Sequence, residues 1–304
     1  MGKEKSTLLY NNLSGYFRTK YGKRLKKICI DGGFSCPNRD GKCGTGGCIY
    51  CGERGAGEHI DSALSIREQV SSALAGAKRD ESFIAYFQNF SNTYAPVNEL
   101  KKRYDSALID ERIVALAIGT RPDCIDEEKA RLIASYKDRV DVWVELGLQT
   151  SNDKTAEVIN RGYPLSVFEK AVALLKQYDI PIVAHMIIGL PGETGEEAKE
   201  TARYLGSLGL FGIKIHSIYV MEGTKLADEY RENRYTPPTL SEFVSACAEC
   251  VGYIPKSVVI HRLTGDCPRD MLVAPDWNAD KNKIIDEIVK EMERRGIRQG
   301  SLIK

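Results

Sequence analysis

At 304 residues the chain is long for an average domain but within the range of a single α/β barrel. Forty-three basic and 42 acidic residues leave a formal charge of +1, and 42% hydrophobic with 28% charged residues supports a buried core, which excludes global disorder and argues against an acidic tail or a nucleic-acid coat. Nine cysteines cannot pair completely, the N-terminus MGKEKSTLLY has no apolar leader, and no run reaches the roughly 18 apolar residues of a membrane span, so no membrane partner is implied and a reducing cytoplasm is the expected compartment. Met1-Gly2 with Ser6 fits a short myristoylation pattern that arises readily by chance and is set aside.

In chain order, residues 1–30 hold eight basic side chains (Lys3, Lys5, Arg18, Lys20, Lys23, Arg24, Lys26, Lys27) against Glu4, a local +7 that leaves −6 on the remainder. Tyr10, Tyr16, Phe17 and Tyr21 alternate with these charges. Two readings stand: a solvated basic arm, or a patch that contacts phosphates while its rings stack on bases. Between Asp31 and Gly57 lie nine of the 27 glycines and four of the nine cysteines. Glycine costs backbone entropy, so this concentration points to backbone that approaches a ligand closely.

Downstream, short β-like runs alternate with helical patterns. Strands are expected at 25–30, 83–87, 113–119, 142–148, 182–189, 213–220 and 258–263, several of them continuous apolar runs suited to burial on both faces. Ile66, Val70, Ala73, Leu74 and Ala77 recur at helical spacing, as do Val167, Ala171, Leu174 and Leu175 after Pro164. The rhythm predicts an α/β fold, a partial or full (βα) barrel of parallel strands. Residues 1–24 form a basic N-terminal extension, 25–230 the barrel core, and 231–304 a C-terminal extension that completes the barrel and the substrate end.

Sites in such folds lie at the carboxyl ends of the strands. Those ends carry the cysteine loop (36–51), Gln88-Asn89, Gly119-Thr120-Arg121, Gly147 with Gln149, Gly189-Leu190-Pro191-Gly192 and Glu222-Gly223-Thr224, all converging on one rim. Cys48 and Cys51 form a C-x-x-C pair whose short loop turns both sulfurs to one side, and Gly41, Gly44, Gly46 and Gly47 let Cys36 fold back as a third ligand. A zinc site with Cys43 or His59 as fourth ligand is open, as is a redox pair, though that motif normally opens a helix in another βα context. The loop matches neither a Walker A nor a G-x-G-x-x-G pattern. Three thiolates at a barrel mouth also suit an iron–sulfur cluster with one iron left open.

The segment ICIDGGFSCPNRDGKCGTGGCIYC resembles the cluster loop of radical S-adenosylmethionine (SAM) enzymes, in a variant with C-x11-C-x2-C spacing. YFQNFSNTYAP (86–96), IGTRPDC (118–124), ELGLQT (145–150), INRGY (159–163), HMIIGLPGET (185–194) and HRLTGDCPRDMLVAPDW (261–277) extend the resemblance over almost the whole chain, to a bacterial branch related to the catalytic subunit of Elongator, the tRNA wobble-uridine modifier. Elongator's separate acetyltransferase-like domain is not expected here.

The resemblance implies a [4Fe–4S] cluster with Cys36, Cys48 and Cys51 each on one iron, the fourth iron taking the amino and carboxylate groups of SAM. It places Tyr50 beside the adenine, and Gln88 and Asn89 where the superfamily has a Gly-Gly-Glu-like element, which this sequence lacks. Glu145 and Gln149 are expected to face the interior, Arg161 to pair with the SAM carboxylate, and Ile188-Gly189 and Tyr219-Val220 to border the adenine. The implied chemistry is reductive cleavage of SAM to a 5′-deoxyadenosyl radical that takes hydrogen from substrate in a water-poor site, fed by a low-potential donor such as flavodoxin or ferredoxin. The implied substrate is tRNA, with carboxymethylaminomethyl converted to aminomethyl at C5 of a wobble uridine.

Lys214 and His216, pointing into the barrel, and Glu145 are the expected catalytic residues. His185 and His261 are expected to be structural, Cys43 a spectator, and Cys29 and Cys124 packing residues. Cys247 and Cys250 fall on an apolar helical stripe with Leu240, Phe243, Val244 and Val251, which favours packing over a second metal site with Cys267. Arg262, Asp266 and Arg269 are expected to shape the substrate end. Two rivals are a radical SAM enzyme on a small molecule and a non-catalytic, zinc-stabilised RNA-binding module.

Overall fold

Each of the seven runs expected as strands is a strand in the computed structural model, which describes residues 9–55, 60 and 63–303. They are β1 (Leu25–Ile30), β2 (Ser82–Phe87), β3 (Ile113–Thr120), β4 (Asp141–Gln149), β5 (Ile182–Ile188), β6 (Gly212–Ser217) and β8 (Val259–Arg262). All pair in parallel, in the order β1-β2-β3-β4-β5-β6-β8. The run expected at 213–220 stops at Ser217, whose hydroxyl donates to Asn278 Oδ1 at 2.5 Å and accepts from Gly265 N at 2.7 Å. That contact diverts the chain into β7 (Val220–Met221), which pairs antiparallel with β9 (Leu272–Ala274).

The sheet is strongly curved. In a flat sheet β2 and β6, four places apart, would be separated by about 19 Å, yet Lys214 Nζ of β6 lies 3.0 Å from the Tyr86 hydroxyl of β2. No pairing joins β1 to β8 among the described residues, so the sheet is a partial barrel, open between those two edges. Alternate residues serve two layers. Phe83, Phe87, Leu116, Val144, Ala184 and Met186 face outward into the helical shell, against Leu100, Tyr104, Ile133, Phe168 and Leu205. Ile84, Tyr86, Ala115, Trp143 and Val183 face the barrel interior. Burial on both faces explains why the strands read as continuous apolar runs. Helices Ile66–Leu74, Gly195–Ser207 and Leu240–Gly252 each start with a reciprocal capping box (Ser65 with Glu68, Thr194 with Glu197, Thr239 with Glu242). Each cap contributes about 1 kcal/mol and fixes where the chain leaves the loop before it.

The amino ends of the strands are closed by the helix Leu13–Tyr21. Phe17 is 3% exposed and packs on Trp143, Tyr16 and Tyr21, while Tyr16 meets Phe211 edge-on at 5.2 Å. Lys20 pairs with Asp141 at 2.5 Å, Lys26 with Glu81 at 2.5 Å, and Lys23 donates to the Asp80 carbonyl. Tyr16, Phe17 and Tyr21, read as base-stacking rings, are therefore a hydrophobic plug, Tyr10 is buried in the outer core, and Lys20 and Lys26 are neutralised locally. Lys3, Lys5 and Glu4 lie outside the described residues.

Cys247 and Cys250 are fully buried between helices Leu240–Gly252, Gly195–Ser207 and Lys281–Arg295, with both thiols held protonated by burial. Cys267 instead lies beside Tyr219. Cys124 is buried, and Cys29 is exposed at the rim, on edge strand β1. No helix among the described residues is long and apolar enough to cross a membrane.

Candidate active site

The carboxyl half of the barrel encloses a cavity of about 230 Å³. One wall is the cysteine loop, with Cys36, Cys48, Tyr50 and Cys51. The opposite wall and floor carry Tyr86, Glu145, His185, Lys214, His216 and Arg262, all from strands. A smaller lobe of about 130 Å³ continues from it past Tyr50, Gln149 and His216 to Ile187, Ile218 and Tyr219. Period-two alternation creates the lining: Glu145, Gly147 and Gln149 on β4, His185 and Ile187 on β5, and Lys214 and His216 on β6 share the inner face. Gln149 sits at φ 71°, at a register break following Gly147, and this left-handed turn delivers its side chain to both lobes.

Glu145, 1% exposed, is the hub of the floor. It accepts from the Tyr86 hydroxyl at 2.8 Å, from Trp143 Nε1 at 3.1 Å, contacts His185 Nε2 at 2.9 Å, and forms an ion pair with Lys214. Burial alone would push its carboxyl up; the Lys214 charge and the His185 bond instead hold it well below the usual carboxylate range. Burial lowers Lys214 to about 7, with Lys27 and Arg262 adding to the effect against the pull of Glu145. His185 is lowered to about 4 by burial and the Lys214 charge, and burial takes His216 well below its ordinary value. Near neutral pH the floor thus presents an ionised Glu145, two neutral imidazoles and an amine poised to exchange its proton.

The cysteine loop is held rigidly by the segment Asn160-Arg161-Gly162. Asn160 Nδ2 donates to Gly47 O at 2.7 Å, Ile49 N donates to Ile159 O at 3.1 Å, and Asn38 Nδ2 donates to Asn160 O at 2.6 Å. Gly162, at φ 81°, leaves room for Asn38: a Cβ there would lie 2.7 Å from Asn38 Oδ1. Arg39 closes the loop by donating to the Cys51 and Gly52 carbonyls at 2.8 and 2.6 Å.

This wall fits an iron–sulfur cluster. Cys36, Cys48 and Cys51 form no disulfide and share one cavity, while Cys43 is exposed and absent from its lining. Among the described residues no three His, Cys, Asp or Glu side chains gather to hold a single metal ion, as zinc requires. A multi-iron cluster takes its thiolates on separate irons, a wider arrangement. His59, the other candidate zinc ligand, lies outside the described residues.

Tyr50, Gln88, Gln149, Tyr219, Glu145, Lys214 and His216 all line the cavity or its lobe. Four expected contacts do not. Asn89 is buried and turned away, its Nδ2 donating to Asp31 Oδ2 at 2.9 Å. Ile188 faces outward into the helical shell, and parity gives its place to Ile187; Val220, on β7, packs behind Ile187 and Ile218 in one apolar cluster, and of these only Ile187 and Ile218 line the lobe. Gly189 abuts Ile218 and Pro238, its carbonyl accepting from the Tyr235 hydroxyl at 2.6 Å. Arg161 reaches the cavity but is 1% exposed and spent as a brace, donating to the Leu148, Thr150 and Tyr163 carbonyls and to Asp153. His185, expected to be structural, belongs to the site. His261 stays with packing, between Trp143 and Phe211. Tyr86, Trp143 and Lys27 were not foreseen, though strict alternation along β1, β2 and β4 puts them on the inner face.

Comparison with known proteins gives a consistent assignment. The radical SAM superfamily profile matches residues 41–205, and that of the radical SAM C-terminal domain matches residues 211–294. The chain is 34% identical to the uncharacterized protein YtqA of Bacillus subtilis, covering 97% of this chain and 93% of that protein. It is 33% identical to protein YhcC of Escherichia coli, covering 97% and 96%. A tRNA uridine(34) acetyltransferase of Dehalococcoides mccartyi is 33% identical over 52% of this chain, which spans 34% of that enzyme. The solved structure of archaeal Methanocaldococcus infernus Elp3 with an N-terminal deletion has the same fold, with a TM-score of 0.68 at 20% identity over 90% of this chain and 64% of that chain. The chain belongs to the radical SAM superfamily, and its cofactors are a [4Fe–4S] cluster and SAM.

Proposed function

We propose that this radical SAM enzyme acts on tRNA and converts a carboxymethylaminomethyl group at C5 of a wobble uridine to aminomethyl. The observation that carries the reading is the juxtaposition, across one cavity, of the three-thiol wall and the Glu145–Lys214–Tyr86–His185 floor. Relatives whose names specify tRNA uridine 34 support the substrate class; this chain spans 34% of each, so their acetyl transfer is not carried over. Cys36, Cys48 and Cys51 are the proposed iron ligands, and Tyr50, Gln88, Gln149 and Tyr219 the proposed SAM contacts. When bound, cluster and SAM supply a 5′-deoxyadenosyl radical that takes hydrogen from substrate. The chain's own contribution is to exclude water, orient the substrate in the cavity, and hold an exchangeable proton on Lys214 Nζ beside Glu145 and Tyr86. A low-potential donor such as flavodoxin or ferredoxin is the proposed electron source.

Two measurements test this. Anaerobic reconstitution with iron and sulfide should yield a protein that cleaves SAM to 5′-deoxyadenosine, an activity lost in Cys36→Ala, Cys48→Ala and Cys51→Ala but kept in Cys43→Ala. Mass spectrometry of tRNA nucleosides from cells lacking the protein should show carboxymethylaminomethyluridine accumulating at the expense of aminomethyluridine. An unchanged wobble-uridine profile would assign the enzyme to a small-molecule substrate instead.

A further inference from the structure

The cavity floor carries more positive charge than its acids balance. Lys214 and Arg262 line it, Lys27 stands behind them over the Tyr86 ring, and Glu145 is already paired with Lys214. Asp266 divides its carboxylate between Arg262, at 3.1 Å, and Lys281. Lys27 has no ion pair among the described residues; its Nζ lies 5.2 Å from the centre of the Tyr86 ring, whose centre is also 4.6 Å from Lys214 Nζ. Arg262 lines the cavity and uses only Nη2 on Asp266, so Nε and Nη1 donate to nothing among the described residues. His216 Nε2, also at the cavity, is shielded from solvent without a hydrogen-bond partner. An interior cation without its counter-ion is costly. Lys27 is one such cation, and Arg262 shares its single acid with Lys281 while keeping donors free at the cavity, so the group calls for a counter-charge that arrives with the ligand.

We propose that Arg262, backed by Lys27 and Lys214 and assisted by His216, is the seat for a carboxylate carried by the substrate, so that the enzyme selects substrates bearing an acid group. The planar guanidinium suits a carboxylate in a way a lone ammonium does not. Arg262 stands on β8, at the open edge of the partial barrel facing Cys29 and Lys27 of β1. The proposal rests on the wobble-uridine reading, in which the substrate side chain ends in a carboxylate and the product side chain lacks it.

The test uses reconstituted holoenzyme with SAM bound, and two probes that share an ammonium group and differ only in the carboxylate: N-methylglycine and N-methylglycinamide. The acid, but not the amide, should raise the melting temperature. Arg262→Gln should abolish that shift, and Arg262→Lys should keep part of it. With tRNA carrying carboxymethylaminomethyluridine, Arg262→Gln should raise KM by about 10- to 100-fold, the range expected for one lost charged hydrogen-bonding partner. Equal shifts from acid and amide, or a variant that loses SAM affinity while its KM for tRNA stays at the wild-type value, would overturn the assignment. If wild-type enzyme binds the acid selectively yet turns over no such tRNA, the wobble-uridine reading fails while the seat stands. If it turns over that tRNA and Arg262→Gln does so with unchanged KM, the seat fails alone.

Discussion

Replacing Glu145 with Gln removes the negative charge on which the floor of the cavity is organised. Gln keeps one oxygen, enough for the Tyr86 hydroxyl on the Oε2 side or for Trp143 Nε1 on the Oε1 side but not for both, so one neutral acceptor is lost as well; the principal loss is still the charge partner of Lys214, itself 3% exposed. Breaking a buried pair by deleting one member typically costs about 3–5 kcal/mol, because the survivor remains desolvated. The cavity admits some water, which argues for the lower end, about 3 kcal/mol. With an unfolding entropy of about 2.1 cal/mol/K per residue, a 304-residue chain loses about 5 °C in Tm for that amount. Lys214→Met alone should cost less, since an ionised Glu145 keeps the donors of Tyr86, Trp143 and His185. The double variant Glu145→Gln/Lys214→Met removes both charges and should recover more than half of the Glu145→Gln loss. Thermal melts of anaerobically reconstituted holoenzyme at fixed SAM concentration complete the cycle. Additivity of the two substitutions within about 0.5 kcal/mol would show that the contact carries no coupling and would refute the hub role of Glu145.

Stability should fall as pH drops from 6.5 towards 4. His185, lowered to about 4, and His216, held well below its ordinary value by burial, refuse protons that the unfolded chain accepts near 6.5, so stability present above that value is lost on the acid side. His185→Gln should reduce the slope of unfolding free energy between pH 6 and 5 by about 1 kcal/mol per pH unit; an unchanged slope would show that His185 is protonated in the fold. Gly162→Ala should force Asn38 off its 2.7 Å approach and disturb the cysteine loop. Iron content after reconstitution should then drop while far-ultraviolet circular dichroism stays native; full iron loading would mean the loop is not braced there. Phe17→Ala should cost about 3–5 kcal/mol, read from urea unfolding, if the N-terminal helix is the barrel plug; a loss below about 1 kcal/mol would suit a peripheral arm.

Most of the strand skeleton was legible because parallel strands buried on both faces give continuous apolar runs, and every such run became a strand. The cysteine wall was legible because ligand spacing is a local property. Misplaced residues follow three physical patterns. Ile188 was misplaced by parity: a run apolar on both faces carries no internal sign of which alternate set looks inward, and only the polar His185 and Lys214 mark it. Val220 was misplaced because the chain leaves β6 at Ser217 and enters β7. Asn89 is turned away from the cavity, and Arg161 reaches it already engaged, because a polar residue at a strand end has two competing fates, contact with ligand or satisfaction of buried backbone and side-chain groups. Arg161 meets three carbonyls and Asp153, and Asn89 meets Asp31. Partners that distant in sequence leave no local signature.

The N-terminal charge cluster illustrates how a count misleads about location. Its helix seals the amino ends of the strands, whereas the thiols stand beyond the carboxyl ends. The nine residues of β4 rise about 30 Å along the strand, or about 25 Å along a barrel axis after tilt. A nucleotide whose side chain occupies the cavity is therefore on the far side of the barrel from Arg18, Lys20 and Lys23. Any phosphate contact by those residues must be made by a part of the RNA remote from the reacting base, reached around the outside of the molecule. Lys27, one of the same eight cations, instead turns inward on β1 and meets Tyr86 within the barrel. Strand alternation thus divides one basic run between two tasks, exterior pairing for Lys26 and interior field for Lys27, and it is the second that bears on which substrate the cavity accepts.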